Sequence, residues 1–288
     1  MNICALTMVY RDYWALSQWY AHYSRHLGPE NLFVVAHGAD PKIQDLCPNA
    51  SVITVPRYKF TYFDLSRGRL LNGFQVGLDE IYDWVIRTDV DELICLDPDR
   101  YQGFADFFAQ NPGRAQFSLG LNLAELPDDS ALTPGMLALQ HRRRALFSAH
   151  YSKAWAARGR IGLRRHGVEI RPRFIDAYPF SVPRGAYLVH LKYANGQALA
   201  ESDTHRMQVA SEPGRGTPGQ SWLDPDNRNR RFHDRVRNLP VTDWNEAEAQ
   251  AYSQISGEPE RERRIGVIRV RDVALNLATD LPGWFRSA

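Results

Sequence analysis

Asp83-Trp84-Val85-Ile86-Arg87-Thr88-Asp89-Val90-Asp91-Glu92-Leu93-Ile94 opens as an apolar, β-branched and aromatic run that reads as a buried strand and ends on three carboxylates. Apolar chain resumes at Leu93-Ile94-Cys95-Leu96. Carboxylates set between two buried segments are costly to desolvate unless something positive meets them. Strand alternation puts Asp89 and Asp91 on one side of the chain. Two such oxygen donors at a strand end can hold a divalent cation bound to a ligand's phosphates. Spacing alone is a weak signal, because 21 Asp in 288 residues generate Asp-x-Asp about 1.5 times by chance. The pattern occurs three times, and Asp97-Pro98-Asp99 and Asp224-Pro225-Asp226 carry the proline of a turn or helix cap. The copy at 89–91 lacks such a proline and has apolar segments on both flanks, which favours a cation-binding tip over a solvated strand-to-loop junction.

Upstream, residues 2–8 form a short apolar strand. Leu16, Trp19, Tyr20, Tyr23 and Leu27 recur at helical spacing and are closed by Gly28-Pro29. Residues 32–36 and 51–55 read as buried strands, the first running into His37-Gly38-Ala39-Asp40, and Leu70, Leu71, Phe74, Leu78 and Ile81 mark a helix that feeds the acidic strand. Downstream, Tyr101, Phe104, Phe107 and Phe108 give a helix ended by Asn111-Pro112-Gly113, and residues 115–119 one more strand. This alternation predicts an α/β fold with a Rossmann-like, mostly parallel central sheet flanked by helices. Ligands of such sheets bind at the carboxyl ends of the strands, which here carry Thr7 and Tyr10, Gly38 and Asp40, and Asp89 and Asp91.

After residue 120 the alternation fades into a mixed α+β elaboration with turns at Pro127-Asp128-Asp129 and Thr133-Pro134-Gly135 and short strands over 161–192. Residues 211–220 read as a Gly/Pro-rich flexible loop. Beyond it Phe232, Val236 and Leu239 suggest a helix bearing Arg228, Arg230, Arg231, Arg235 and Arg237. Hydrophobic content of 44% and charged content of 24% are those of an ordinary globular chain. A net charge of +2 gives no global field for nucleic acid. Cys4, Cys47 and Cys95 have neither disulfide nor zinc spacing. No signal peptide precedes the first strand and no apolar run approaches membrane-spanning length, so a reducing cytoplasm is the expected compartment.

The N-terminal strand, the second strand with its trailing Asp, the helix containing Arg69-x-x-Asn72 and the apolar strand into Asp-x-Asp-Glu together resemble the nucleotide-sugar-dependent glycosyltransferases of the GT-A fold, bacterial family 2-like members above all. The resemblance covers roughly residues 2–195. It implies that Asp89 and Asp91, supported by Glu92, bind Mn²⁺ or Mg²⁺ on the donor diphosphate, which makes Asp91 a catalytic residue. It further implies that Thr7, Tyr10 and Asp40 line the nucleoside pocket, and that Arg69 faces the diphosphate or the sugar. Members of the family often add a metal-binding His from a late strand. Tyr187-Leu188-Val189-His190-Leu191-Lys192 fits, with His190 as third ligand and Lys192, on the same face, near a phosphate. Imidazole with carboxylates suits Mn²⁺ better than Mg²⁺. Tyr151-Ser152-Lys153-Ala154-Trp155 and Arg165-His166-Gly167 also resemble family segments, with Lys153 and His166 bordering the donor phosphates or the acceptor, or merely exposed.

The resemblance implies a catalytic domain over 1–200, its donor half about 1–100 and its acceptor half about 101–200, with 201–288 as an Arg-rich appendage. The expected reaction is transfer of a sugar from a nucleotide-sugar, UDP-linked by default, to a glycan or lipid-linked acceptor of bacterial surface polysaccharide, with inversion. Inversion needs a carboxylate base, for which Glu125, Asp128 and Asp203 are candidates against their reading as surface acids. The arginines of 226–237 can grip an anionic acceptor or rest on an anionic inner-membrane surface; Asp226, Asp234 and Asp243 favour a solvated, internally paired face. Two rivals stand beside this reading. One is an Asp-x-Asp phosphohydrolase with Asp89 as nucleophile, against which count the 88 residues before the motif and Glu92-Leu93 after it. The other is a non-catalytic glycan-binding or assembly module.

Overall fold

Seven consecutive uncharged residues, Ile3–Val9, form β1, which is buried along its whole length, as the middle strand of a helix-covered parallel sheet must be. The computed structural model describes residues 1–57, 62–211 and 222–288. After β1 come α1 (Tyr13–Leu27), β2 (Leu32–His37), α2 (Pro41–Leu46), β3 (Ser51–Val55), α3 (Phe63–Leu78) and β4 (Trp84–Arg87). Strands β2 and β4 flank β1 and β3 lies outside β2, all of them parallel. The expected α/β fold with a parallel core is therefore present. Trp19 and Tyr23 of α1 are fully buried, and Gly28, at φ +83°, ends that helix in a conformation that suits glycine.

The chain continues through β5 (Glu92–Leu96), α4 (Phe104–Gln110), β6 (Ala115–Phe117), β7 (Leu119–Ala124), α5 (Ala138–His141), β8 (Arg144–Ser148), β9 (Ala154–Ala157), β10 (Gly162–Arg164), β11 (Gly167–Glu169) and β12 (Ala186–Tyr193). It closes with α6 (Gly196–Ser211), α7 (Pro225–Asn238), α8 (Trp244–Ile255), β13 (Glu260–Glu262), β14 (Val267–Arg269) and β15 (Ala278–Asp280). Antiparallel β9 and β6 complete the first sheet in the order β3-β2-β1-β4-β9-β6. A second sheet runs β15-β8-β7-β12-β5, and a small third one β10-β11-β14-β13.

The acidic stretch departs from its expected form. The strand stops at Arg87, and residues 88–91 pass from the first sheet to the second before β5 begins at Glu92. Glu92 N–H donates to the Asp89 carbonyl (3.1 Å) and Asp89 N–H to Glu92 Oε2 (3.0 Å), so the crossing is a locally closed turn. Strand alternation does not apply to a turn, and Asp89 and Asp91 engage different partners.

Strand pairing crosses the division placed at residue 200. β14 pairs with β11 and β15 with β8, while Tyr252 and Phe285 belong to the main core. The Arg-rich helix is α7, whose Phe232 stacks on Tyr193 (3.6 Å between centroids, 9° between planes). Past Ser211, the Gly/Pro-rich stretch lies outside the described residues. Among the described residues no helix is long and apolar enough to cross a membrane.

Candidate functional site

A cavity of about 970 Å³ opens along the carboxyl ends of β1, β2 and β4, where Tyr10, His37 and residues 87–92 line it. The acidic turn is met by cations from three directions. Arg67 Nη2 from α3 lies 2.6 Å from Asp89 Oδ1. Lys153 Nζ lies 3.2 Å from Asp89 Oδ2 and 2.7 Å from Glu92 Oε1. Arg206 Nη2 from α6 lies 3.5 Å from Asp91 Oδ2. Burial works against the charge on Asp89, but Lys153 and Arg67 overcome it and hold the carboxyl well below the usual range. Burial likewise opposes the charge on Asp91, which His190 and Arg206 hold down. Glu92 goes the other way: burial, with Asp89 and Asp91 nearby, pushes it up to about 7 despite Lys153. Asp12, at the start of α1, is raised to about 6 by burial and by Asp91.

Lys153 reaches the turn because of a close backbone approach. A Cβ on Gly120 of β7 would stand 2.3 Å from the Tyr151 carbonyl carbon, so only glycine admits the 148–152 turn there. Ser152 Oγ then accepts from Gly120 N–H (2.8 Å) and donates to the Ser148 carbonyl (2.8 Å). Tyr151, on the same turn, stacks on His190 at 3.8 Å and 21°.

His190 of β12 is buried, and its Nε2 lies 3.2 Å from Asp91 Oδ2. Its Nδ1 lies 2.8 Å from Asn122 Oδ1 of β7. With the Asn122 amide oxygen toward the ring, the ring hydrogen sits on Nδ1. Burial lowers the His190 pKa although Asp91 opposes this, and Nε2 faces the Asp91 carboxylate. Arg206 also approaches that Asp91 oxygen, and a proton or a divalent ion between Nε2 and Oδ2 would bridge the pair.

Among the described residues no three His, Cys, Asp or Glu side chains form a ready metal cage. The pair nevertheless fits a divalent ion, since two ligands about 2.1 Å from one ion at right angles lie about 3 Å apart. Asn122 supplies the hydrogen-bonded support usual behind a metal-bound His. Asp89, expected as a ligand beside Asp91, instead has both oxygens on protein cations.

Tyr10 lines the cavity under the Arg57 guanidinium, 4.0 Å from its ring centre, and edge-on to His37 and His205. Arg69 is exposed at the rim, and Arg67 takes the inward place expected of it. Lys192 lines the cavity beside His190; burial, with Arg206 and Arg228, lowers its ammonium to about 7. Thr7 falls outside the cavity, fully buried and donating to the Thr88 carbonyl (3.0 Å). Asp40 is no pocket residue either: it caps α2 at Lys42 N–H (3.1 Å) and accepts from Tyr13 Oη (2.7 Å).

The candidate bases do not line the cavity, and each has a protein partner. Glu125 pairs with Arg142 (2.5 Å) and accepts from Gly196 N–H (2.6 Å). Asp203 is held by Arg228 (2.9 Å), Asn229 (2.8 Å) and Arg206 (3.6 Å), tying α6 to α7. Asp128 is exposed beside Arg143. On α7 only Arg228 lines the cavity; Arg230, Arg231, Arg235 and Arg237 are exposed away from it.

Sequence reading passed over Arg67, Asn122, Arg206 and Asp12. For Arg67 the helical period was a usable signal, because 64, 67, 71 and 75 share one face of α3 and Leu71 and Gln75 are its buried residues.

No protein-family model and no curated protein matches the chain. Among solved structures it is similar to 4-diphosphocytidyl-2C-methyl-D-erythritol synthase at 17% identity and a TM-score of 0.29, over 49% of this chain and 66% of that one, just under two thirds. It is also similar to mannose-1-phosphate geranyltransferase from Thermus thermophilus at 11% identity and a TM-score of 0.30, over 98% of this chain and 74% of that one. At these scores the likeness assigns no family.

Proposed function

We propose that this chain transfers a sugar from a nucleotide-sugar, UDP-linked in the first instance, to a hydroxyl of a glycan or lipid-linked acceptor, using Mn²⁺ or Mg²⁺. The observation that carries this reading is the charge of the cavity. Eleven Lys and Arg line it against seven Asp and Glu among the described residues, yet it also holds an Asp91–His190 pair that a divalent ion would bridge. An anion that brings a divalent ion satisfies both, and a nucleoside diphosphate is such a ligand.

Asp91 and His190 would hold the ion. When bound, the ion supplies positive charge to the leaving diphosphate. The residues do the rest. Lys153 and Arg67, displaced from Asp89, and Arg206, displaced from Asp91, stabilise charge that develops on the leaving phosphate more than charge already present in the ground state. Tyr10 and Arg57 offer a flat aromatic and cationic wall to the nucleoside.

Calorimetry with UDP and Mn²⁺ tests the reading. Binding should depend on the metal and vanish in Asp91→Ala and His190→Ala; tight binding indifferent to EDTA would overturn it. Thermal stabilisation by UDP-, GDP- and dTDP-sugars with Mn²⁺ would identify the nucleotide. Trapping a phosphorylated Asp89 would replace the transferase by a phosphohydrolase.

A further inference from the structure

One wall of the cavity has a backbone that the donor chemistry does not explain. β10 and β11 are joined by Arg165-His166 alone, since Arg164 pairs directly with Gly167. Both loop residues have positive φ, +48° and +66°. A two-residue hairpin loop of this kind is a type I′ turn, for which Asn-Gly, Asp-Gly and Gly-Gly are strongly preferred. Arginine and histidine there hold strain. The hairpin is also clamped from below, because a Cβ on Gly167 would stand 2.1 Å from the Ile268 carbonyl oxygen.

Both residues of the tip line the cavity. His166 Nδ1 lies 2.8 Å from the His150 carbonyl oxygen, to which it can only donate. The ring meets His150 edge-on at 4.3 Å and lies along Tyr151 at 6.3 Å and 28°. Tyr151 in turn stacks on His190, so imidazole, phenol and imidazole run from the tip to the acidic turn. With Nδ1 protonated, Nε2 carries a lone pair, and among the described residues it has no hydrogen-bond partner. The ring is buried enough that its pKa falls to about 3, with Lys153 and His150 lowering it further. It is therefore an acceptor at any physiological pH, and it lines the cavity from the hairpin beside β9 and α3, whereas Tyr10 and Arg57 follow β1 and β3.

We infer that the Arg165–His166 tip is the acceptor-recognition element of the site, its strained turn kept so that His166 Nε2 receives a hydrogen bond from the hydroxyl of an incoming saccharide. This rests on the donor reading above, which places the nucleoside at the Tyr10 end and leaves this wall to the second substrate. The hydrogen bond orients the hydroxyl so that an oxygen lone pair faces the sugar; as that oxygen bonds to the sugar and the bond to the diphosphate breaks, the hydroxyl proton passes to solvent and not to the ring.

The test uses the full chain and the double change Arg165→Asn, His166→Gly, which installs the preferred turn. Relief of strain should raise Tm by about 4–8 °C, while calorimetric UDP affinity with Mn²⁺ stays within about twofold. Octyl glycosides should stimulate UDP release from UDP-sugars in the wild type, and this stimulation should fall about tenfold or more in the variant. Independently of the donor, millimolar octyl glycosides should shift the His166 Nε2 resonance of ¹⁵N-labelled wild-type protein. A variant with unchanged or lower Tm, undiminished stimulation, or a His166 resonance unmoved by every glycoside overturns the inference. Failure of UDP to bind the wild type, with the glycoside-induced shift present, sinks the donor reading and leaves hydroxyl recognition standing.

Discussion

Lys153→Met removes one ammonium from the acidic turn and keeps most of the side-chain volume. In the wild type Nζ lies 2.7 Å from Glu92 and 3.2 Å from Asp89, with the Lys153 and Glu92 side chains 8% and 1% exposed. Breaking a buried pair strands the remaining charge at a cost of about 3–5 kcal/mol. Asp89 is 37% exposed and keeps Arg67 at 2.6 Å, so little of the penalty falls on it. Glu92 is left with the backbone N–H of Asp89 as its donor. The expected loss is thus near the lower bound, about 3 kcal/mol. Adding Glu92→Gln removes the stranded charge, and the double variant should recover about 1.5 kcal/mol relative to additivity. Urea unfolding followed by Trp fluorescence, in EDTA, gives both numbers. It should be run from pH 7 to 9, because Lys153 holds down a Glu92 pKa that burial has raised to about 7 and its loss lets that pKa rise further, so the penalty should grow with pH. A Lys153→Met chain within about 0.5 kcal/mol of wild type, or a strictly additive double variant, would refute the charge compensation described for this turn.

Asn122→Ala frees the His190 ring and should weaken Mn²⁺ binding about 10–100-fold, read by calorimetry, with no change in unfolding by urea beyond about 1 kcal/mol. Glu125→Gln should lose about 1–3 kcal/mol of stability, because Arg142 is fully buried, while turnover per folded molecule stays at the wild-type level; a collapse of turnover in a stable protein would restore Glu125 as base. His22 is buried with Nε2 on the Ile94 carbonyl (2.9 Å), and burial, helped by His26, lowers its pKa to about 3. The unfolded chain therefore takes the proton first, so this stability is full above about 6.5 and is lost as pH falls toward 3. His22→Gln, which can keep the donor, should flatten that acid limb in thermal melts from pH 7 to 4. Arg230→Glu with Arg231→Glu should leave UDP binding and Tm unchanged and abolish any sedimentation with phosphatidylserine vesicles; retained sedimentation would move membrane contact away from α7.

The first half of the fold was legible because its strands and helices carry uninterrupted patterns. Ile3–Val9 is apolar but for Thr7, and α1 repeats its buried residues at helical spacing. That Asp91 and His190 lie close together, 3.2 Å apart, was expected for a related reason, since His190 sits within an apolar strand and the acidic stretch lies between two apolar segments. What failed was anything decided by tertiary partners. Glu125 and Asp203 look like free acids in a string of letters and become structural only when Arg142 and Arg228 arrive from 17 and 25 residues away. The strands after residue 260 are three residues each, too short to show a period, so their pairing with β8 and β11 could not be anticipated.

Why Asp91 and His190 meet at all follows from register. His190 of β12 pairs with Glu92 on one side and with Asn122 on the other, which fixes the imidazole between the acidic turn and its amide support. A slip of one residue in either pairing would turn His190 to the opposite face and leave Asp91 with Arg206 alone. Leu188, Val189 and Leu191 are fully buried around it, so such a slip would also expose or clash apolar side chains. The hydrophobic pattern of β12 is thus the device that aims the imidazole. Residues 88–91 then need only span from the first sheet to the second for Asp91 to arrive opposite Nε2. Asp89, two residues earlier on the near side of that crossing, is left to the cations of α3 and the Tyr151 turn. The division of labour between the two aspartates is therefore set by where the chain changes sheets, and their two-residue spacing has no part in it.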